Sequence, residues 1–201
     1  MVDKRNKYVE ANQVSGFPEP LTRDRNEIVK LVQKAIGGDS EAFGELYMTY
    51  VEPIYRYIFY QVRDKMTAED ITEETFFKAW NSIHSCKGKE QTFSSWLYRI
   101  AHNSMIDVFR SQKKELPLDT EMTADIIDTK AELETKLEHR QLMDAIALLP
   151  ENQRQVIVLK FIEGLDNREI EQIIRKSQGA IRILQMRALD TLRTNFGRLS
   201  G

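Results

Sequence analysis

A chain of 201 residues can hold one medium domain or two small ones, and 41% hydrophobic with 30% charged residues suits packed cores under a soluble, helix-rich surface. Nine glycines and five prolines are too few for a β-protein full of tight turns, and the lone Cys86 rules out an internal disulfide and points to a reducing cytoplasm. The net charge of −2 is unevenly spread: residues 84–114 carry six Lys/Arg against two Asp/Glu (+4), residues 115–138 two against eight (−6), and residues 173–201 six against one (+5).

Residues 1–25 are polar, contain Gly16, Pro18 and Pro20 and show no apolar period or signal-peptide core, so they read as a mobile tail. A first helix is expected over 26–36, with Ile28, Leu31, Val32, Ala35 and Ile36 at helical spacing and Gly37-Gly38 ending it. Asp39 or Ser40 then caps a long amphipathic stretch that Pro53 should kink or split. Thr67 and Asp70 resemble a capping box opening the next helix, AEDITEETFFKAWNSI. A polar loop follows over 84–92, and Ser94 or Ser95 starts SWLYRIAHNSMIDVFRSQ. The acidic stretch after it reads as an interdomain linker. Helical pattern resumes over 131–149 and returns over 151–163, 167–175 and 178–195. No strand pattern and no stretch long enough to cross a bilayer is present. The expectation is an all-α chain of two small helical domains, 26–114 and 135–201, joined by an acidic linker over 115–134.

The last two helices, separated by a short turn, form a helix-turn-helix pattern. Ile181, Leu184, Ala188 and Leu192 make an inner stripe. Arg182, Ile183, Met186, Arg187, Asp190 and Arg193 lie outward, where arginines can reach base edges and apolar groups can meet thymine methyls. Ser177 and Gln178 sit at the cap, positioned for backbone or base hydrogen bonds.

In the first half, Ile71, Thr75, Phe76, Ala79 and Ile83 share one side of their helix, while Glu69, Asp70, Glu73 and Glu74 cluster near its start. Acidic residues there suit the helix dipole, or a docking face for a basic partner. In the following helix Arg99, His102, Asn103, Ile106 and Arg110 line the side opposite Trp96, Leu97, Ile100, Ala101 and Val108. With Lys87, Lys89, Lys113 and Lys114 this is a basic face with Trp80, Phe93 and Trp96 nearby, suited to single-stranded nucleic acid. No phosphate loop, nucleophile elbow, HExxH or paired metal-ligand spacing occurs, so neither an enzyme, a metal, a cofactor nor a small-molecule substrate is expected.

Three stretches, GDSEAFGELYMTYVEPIYRYIF, AEDITEETFFKAWNSI with FSSWLYRIAHNSMIDVFR, and LPENQRQVIVLKFIEGLDNREIEQII, resemble the extracytoplasmic-function (ECF) branch of the sigma-70 family in order and spacing. The resemblance implies a sigma-2 domain whose Glu69, Asp70, Glu73, Glu74 and Phe77 bind the coiled coil of the largest subunit of RNA polymerase core. It implies that Lys87, Arg99, His102, Asn103 and Arg110 melt the minus-ten promoter element and that the 84–92 loop helps capture a flipped base. It further implies a sigma-4 domain placing Ser177, Gln178, Arg182, Ile183, Met186 and Arg187 at the minus-thirty-five element, and a cytoplasmic factor silenced by an anti-sigma factor that can hold it at the inner face of the membrane. The sequence departs from the family pattern at Glu73, usually glutamine, and at Ile183 and Leu184, where relatives often show a serine and a second basic residue. Two alternatives compete: a two-domain helix-turn-helix regulator acting on promoter DNA without polymerase, and a pure protein-interaction module.

Overall fold

A computed structural model describes residues 24–87, 92–115 and 141–199. The expected N-terminal tail, the acidic linker, residues 88–91 of the polar loop (Lys89 among them) and the side chains of Lys113 and Lys114 lie outside the described residues.

Every regular element among the described residues is helical. Helix α1 (Arg25–Ile36) is capped by Asp24, and α2 (Ser40–Val62) by Asp39, whose carboxylate accepts from the Ala42 N–H at 3.0 Å. Of the kink or split expected at Pro53, the split does not occur: α2 continues as one helix to Val62 and stops where Arg63 turns left-handed, with φ 57°. Helix α3 (Lys65–Ser82) begins earlier than the Thr67–Asp70 pattern suggests, because Asp64 is its cap and accepts from the Thr67 N–H at 2.8 Å. A 3-10 turn (Ile83–Cys86) leads toward α4 (Phe93–Glu115), so part of the expected loop is ordered and Cys86 is buried.

These elements close the first core. Leu46, Ile54, Tyr57 and Ile58 of α2 meet Ile71, Phe76 and Ala79 of α3 and Phe93, Leu97, Ala101 and Met105 of α4. Aromatic rings stitch the layers, with Phe43 against Trp80 at 4.9 Å, Tyr47 against Phe76 at 4.8 Å and Phe93 against Trp96 at 5.6 Å. Trp80, Phe93 and Trp96 thus all have ring partners within this core.

The second domain holds helical residues 141–147 (α5), α6 (Glu151–Ile157), α7 (Asn167–Ile174) and α8 (Gln178–Leu199). Helix α6 passes into a π-helical turn (Val158–Ile162) where the Glu163 N–H reaches back five residues to the Val158 carbonyl at 3.0 Å. Gly164 then takes φ +71°, and Asp166 and Glu169 form a reciprocal capping box that starts α7. Space around a Cβ at Gly164 is open, so Gly164→Ala isolates the backbone cost of the left-handed conformation. Thermal unfolding should show a loss of about 1–2 kcal/mol, without change in helical content.

The two domains are packed together. Helix α7 lies along α4, and α2 meets α6 and the π-helical turn. No described helix is long and apolar enough to cross a membrane.

Candidate functional site

Helix α3 buries Ile71, Thr72, Thr75, Phe76 and Ala79 and leaves its other side bare. Glu69, Asp70, Glu73, Glu74 and Phe77 are all exposed, Phe77 by 69%. Glu69 pairs with Lys65 at 3.8 Å and Glu74 with Lys78 at 2.8 Å along the helix, whereas Asp70 and Glu73 meet no cation among the described residues. Met66, which the sequence reading passed over, is 73% exposed. At about 100° per residue, Met66, Asp70, Glu73 and Phe77 fall within roughly 60° of one another. The result is a single stripe of two apolar side chains and two acidic ones that meet no cation among the described residues.

On α4 the structure separates residues the sequence grouped. Arg99 is half-buried, Asn103 and Arg110 are exposed, and Lys87 is exposed at the end of the 3-10 turn. His102 is only 8% exposed, so its expected place on an open basic face is corrected: the second domain covers it. Its Nδ1 lies 3.4 Å from the Tyr57 hydroxyl and 3.3 Å from Nε2 of Gln155, which belongs to α6. The Gln155 amide nitrogen is a donor, so the neutral ring with Nδ1 as acceptor suits it, with the Tyr57 hydroxyl at the edge of hydrogen-bond range. Burial pushes His102 down to about 4, and the charges of Lys176 and Arg175 add to this.

Two clefts follow the seam. One, about 500 Å³, lies between His102, Asn103, Ile106 and Arg110 of α4 and the end of α7 at Ile173, Ile174 and Arg175. The other, about 440 Å³, is lined by Ser85, Cys86, Thr92, Ser95, Trp96 and Arg99, with Gln172 of α7 facing them. Elsewhere among the described residues the Glu163 side chain is buried, only 1% exposed. Its carboxylate accepts from Arg56 Nε at 2.8 Å and Nη2 at 2.9 Å and from the Tyr98 hydroxyl at 2.8 Å. Burial pushes the Glu163 carboxyl up, opposed by Arg56 and Tyr98. Sequence reasoning gave Glu163 no role, because its partners stand 107 and 65 residues away.

The helix-turn-helix is formed as expected. Ile181 and Ala188 are buried, Leu184 packs against the core, and the outer face presents Arg182, Ile183, Met186 and Arg187, joined by the exposed Leu189. Ser177 caps α8, its Oγ accepting from the Ala180 N–H at 3.3 Å. Gln178 differs from expectation: its Nε2 donates to Glu171 at 2.9 Å, so the side chain braces α8 against α7.

Residues 46–115 match the family described as Sigma-70 region 2, and residues 139–192 match Sigma-70, region 4. The ECF RNA polymerase sigma factor SigX of Bacillus subtilis is 33% identical over 78% of this chain and 84% of its own length. The chain belongs to the ECF branch of the sigma-70 family. The ECF RNA polymerase sigma factor BldN of Streptomyces coelicolor is 36% identical over 84% of the chain, which spans 66% of that relative. The solved structure of CnrH in complex with the cytosolic domain of CnrY shares the fold, with a TM-score of 0.65 at 22% identity, over 86% of this chain and 98% of that one. The first domain of this sigma-family chain therefore corresponds to region 2 and the second to region 4.

A pH dependence follows from His102. Exposed, the ring titrates near its ordinary 6.5; between there and about 4 an opened or unfolded chain takes up a proton that the packed one refuses. Packing is therefore at full strength above pH 6.5 and loses about 1.4 kcal/mol per unit as pH falls through that window. Glu163, raised by burial, acts in the opposite sense. The readout is thus the stability difference between the native chain and His102→Asn, which should shrink from pH 7.5 to pH 5. A difference that stays constant with pH means His102 is not held neutral.

Proposed function

We propose that this chain is a sigma factor that binds core RNA polymerase through the exposed stripe of α3 and opens promoter DNA with the face of α4. The observation that carries the reading is the α3 stripe: Met66, Asp70, Glu73 and Phe77 stand bare on a helix whose opposite side is completely packed. An exposed aromatic and methionine beside exposed carboxylates suit a basic, partly apolar protein surface, here the coiled coil of the polymerase's largest subunit. Arg99 and Arg110, with Lys87 and Asn103, supply cations and amides for the minus-ten strand. The cleft at Trp96 and Arg99 has the size and lining to hold an unstacked base. Arg182, Ile183, Met186 and Arg187, with the α8 start at Ser177, form the face offered to the minus-thirty-five major groove.

The same reading has the factor work in the cytoplasm, in a stress or envelope response, under an anti-sigma factor that covers both domains. The two-domain regulator acting without polymerase is the less favoured reading, since a free DNA-binding protein has no use for the α3 stripe. Run-off transcription on genomic fragments, with core polymerase and with or without the protein, tests the proposal. Promoter-specific transcripts should appear only with both; specific duplex binding without polymerase and no transcripts would favour the regulator.

A further inference from the structure

Resting on the reading that α8 is offered to the minus-thirty-five major groove, we propose that Ile183 and Met186 recognise that element by the 5-methyl groups of two neighbouring thymines. The first support is placement. At about 100° per residue Ile183 and Met186 lie roughly 60° apart, on the side opposite Ile181, Ala188 and Leu192, and Arg182 and Arg187 flank the pair to either side. Ile183 is 49% and Met186 64% exposed, so two apolar side chains stand bare at the middle of a cationic face. Duplex DNA matches that arrangement. Its phosphates line the walls of the groove, within reach of the arginines, and the base edges lie between them.

The second support is what the helix has already committed. A glutamine reads adenine with both of its amide atoms, one donating and one accepting. The Gln178 Nε2 donates to Glu171 at 2.9 Å and the Gln185 Nε2 donates to Asn167 at 2.9 Å, so both glutamines of α8 brace it against α7. The bidentate adenine contact is therefore not offered. At the centre of the face the Ile183–Met186 pair remains, and among the four bases only thymine presents a methyl group in the major groove.

The third support is spacing. Three residues of helix advance about 4.5 Å, close to the roughly 3.4 Å between successive bases of a strand, so the pair suits two adjacent thymines. Gly179 is exposed one turn earlier on the same face. A Cβ there would meet only the Ser177 hydroxyl, at 4.0 Å, so the fold itself does not demand glycine. Its missing side chain lets the groove close on Ile183.

The test takes methyl groups from the DNA and leaves the protein intact. In a promoter fragment transcribed by core polymerase with this chain, thymines are sparsely replaced by deoxyuridine. Bound and free fragments are separated, and cleavage at uracil reports which replacements the bound fraction excludes. Two neighbouring thymines of the minus-thirty-five element should each be depleted about fourfold, the worth of one buried methyl group. Deoxyuridine at both should weaken binding roughly tenfold or more. I183A and M186A, both at exposed positions, should each erase the penalty at one of these thymines. Neither should change the unfolding temperature or the affinity for core polymerase. An element without adjacent thymines, no depletion at them, or depletion that persists in both variants overturns methyl reading. So does a loss of core affinity in I183A or M186A, which would make the pair a protein contact. Failure of the sigma reading looks different: no fragment is transcribed with core polymerase, and methyl reading falls with it.

Discussion

Phe77→Asp should abolish most of the affinity for core polymerase while leaving the fold untouched. The ring is 69% exposed and packs on nothing that stabilises the domain, so its loss should leave the unfolding temperature where it was. At an interface the same ring is of the residue class that dominates binding energy: an exposed aromatic at the end of a stripe, beside acidic groups. Truncating such an anchor costs about 2–4 kcal/mol, roughly 30- to 1,000-fold in dissociation constant. The aspartate adds a desolvated charge to that loss. Surface plasmon resonance on immobilised core polymerase measures it directly. An affinity unchanged within threefold would remove α3 from the polymerase interface and leave the exposed stripe unexplained.

The carboxylates on that stripe should behave differently. Asp70 and Glu73 meet no cation among the described residues, so Asp70→Asn should slow association and flatten its salt dependence. Glu69 and Glu74 are already engaged by Lys65 and Lys78, and their exposed pairs are worth little either way. A ranking in which Glu74→Gln matters more than Asp70→Asn would contradict the geometry.

What the sequence made legible was local. The apolar periods of α1, α3 and α8, the cap at Asp39 or Ser40 (Asp39 in the structure) and the break at 176–177 (extended by Arg175) all rest on interactions within a few residues. The cap of α3 was misread because Thr67 and Asp70 imitate a capping box, while Asp64 offers its carboxylate one turn earlier. Pro53 was expected to kink or split α2, and the helix is not split there. The burial of His102 and the role of Glu163 were not readable at all. Helical spacing gives the direction of His102 around α4, but it cannot say that α6 and α7 arrive from far along the chain to cover that direction. Glu163 looked like the polar end of a helix; the π-helical turn before it and the guanidinium of Arg56 make it a buried anchor, and neither has a local signature.

The α4 face supplies the sharpest separation of binding from melting. Arg99 and Arg110 stand eleven residues apart, about 16 Å along the helix, and within roughly 20° around it, so both can meet one strand. Neither belongs to the α3 stripe, whose opposite, packed side is the one turned toward α4. Arg99→Ala and Arg110→Ala should therefore leave core association unchanged. Each should lower open-complex formation by roughly 5- to 100-fold, the range for losing an arginine contact worth about 1–3 kcal/mol. Permanganate reactivity of the minus-ten thymines measures that loss, and a filter-retention salt series adds a second test. Losing a phosphate contact should reduce the slope of log affinity against log salt by about one, whereas losing a base contact leaves the slope and weakens the sequence preference. Arg110 is exposed and should behave in the first way. Arg99, half-buried beside Trp96 in the cleft suited to an unstacked base, should behave in the second. Equal loss of core binding and melting in either variant would mean that this face carries the polymerase contact, and the roles of α3 and α4 would have to be exchanged.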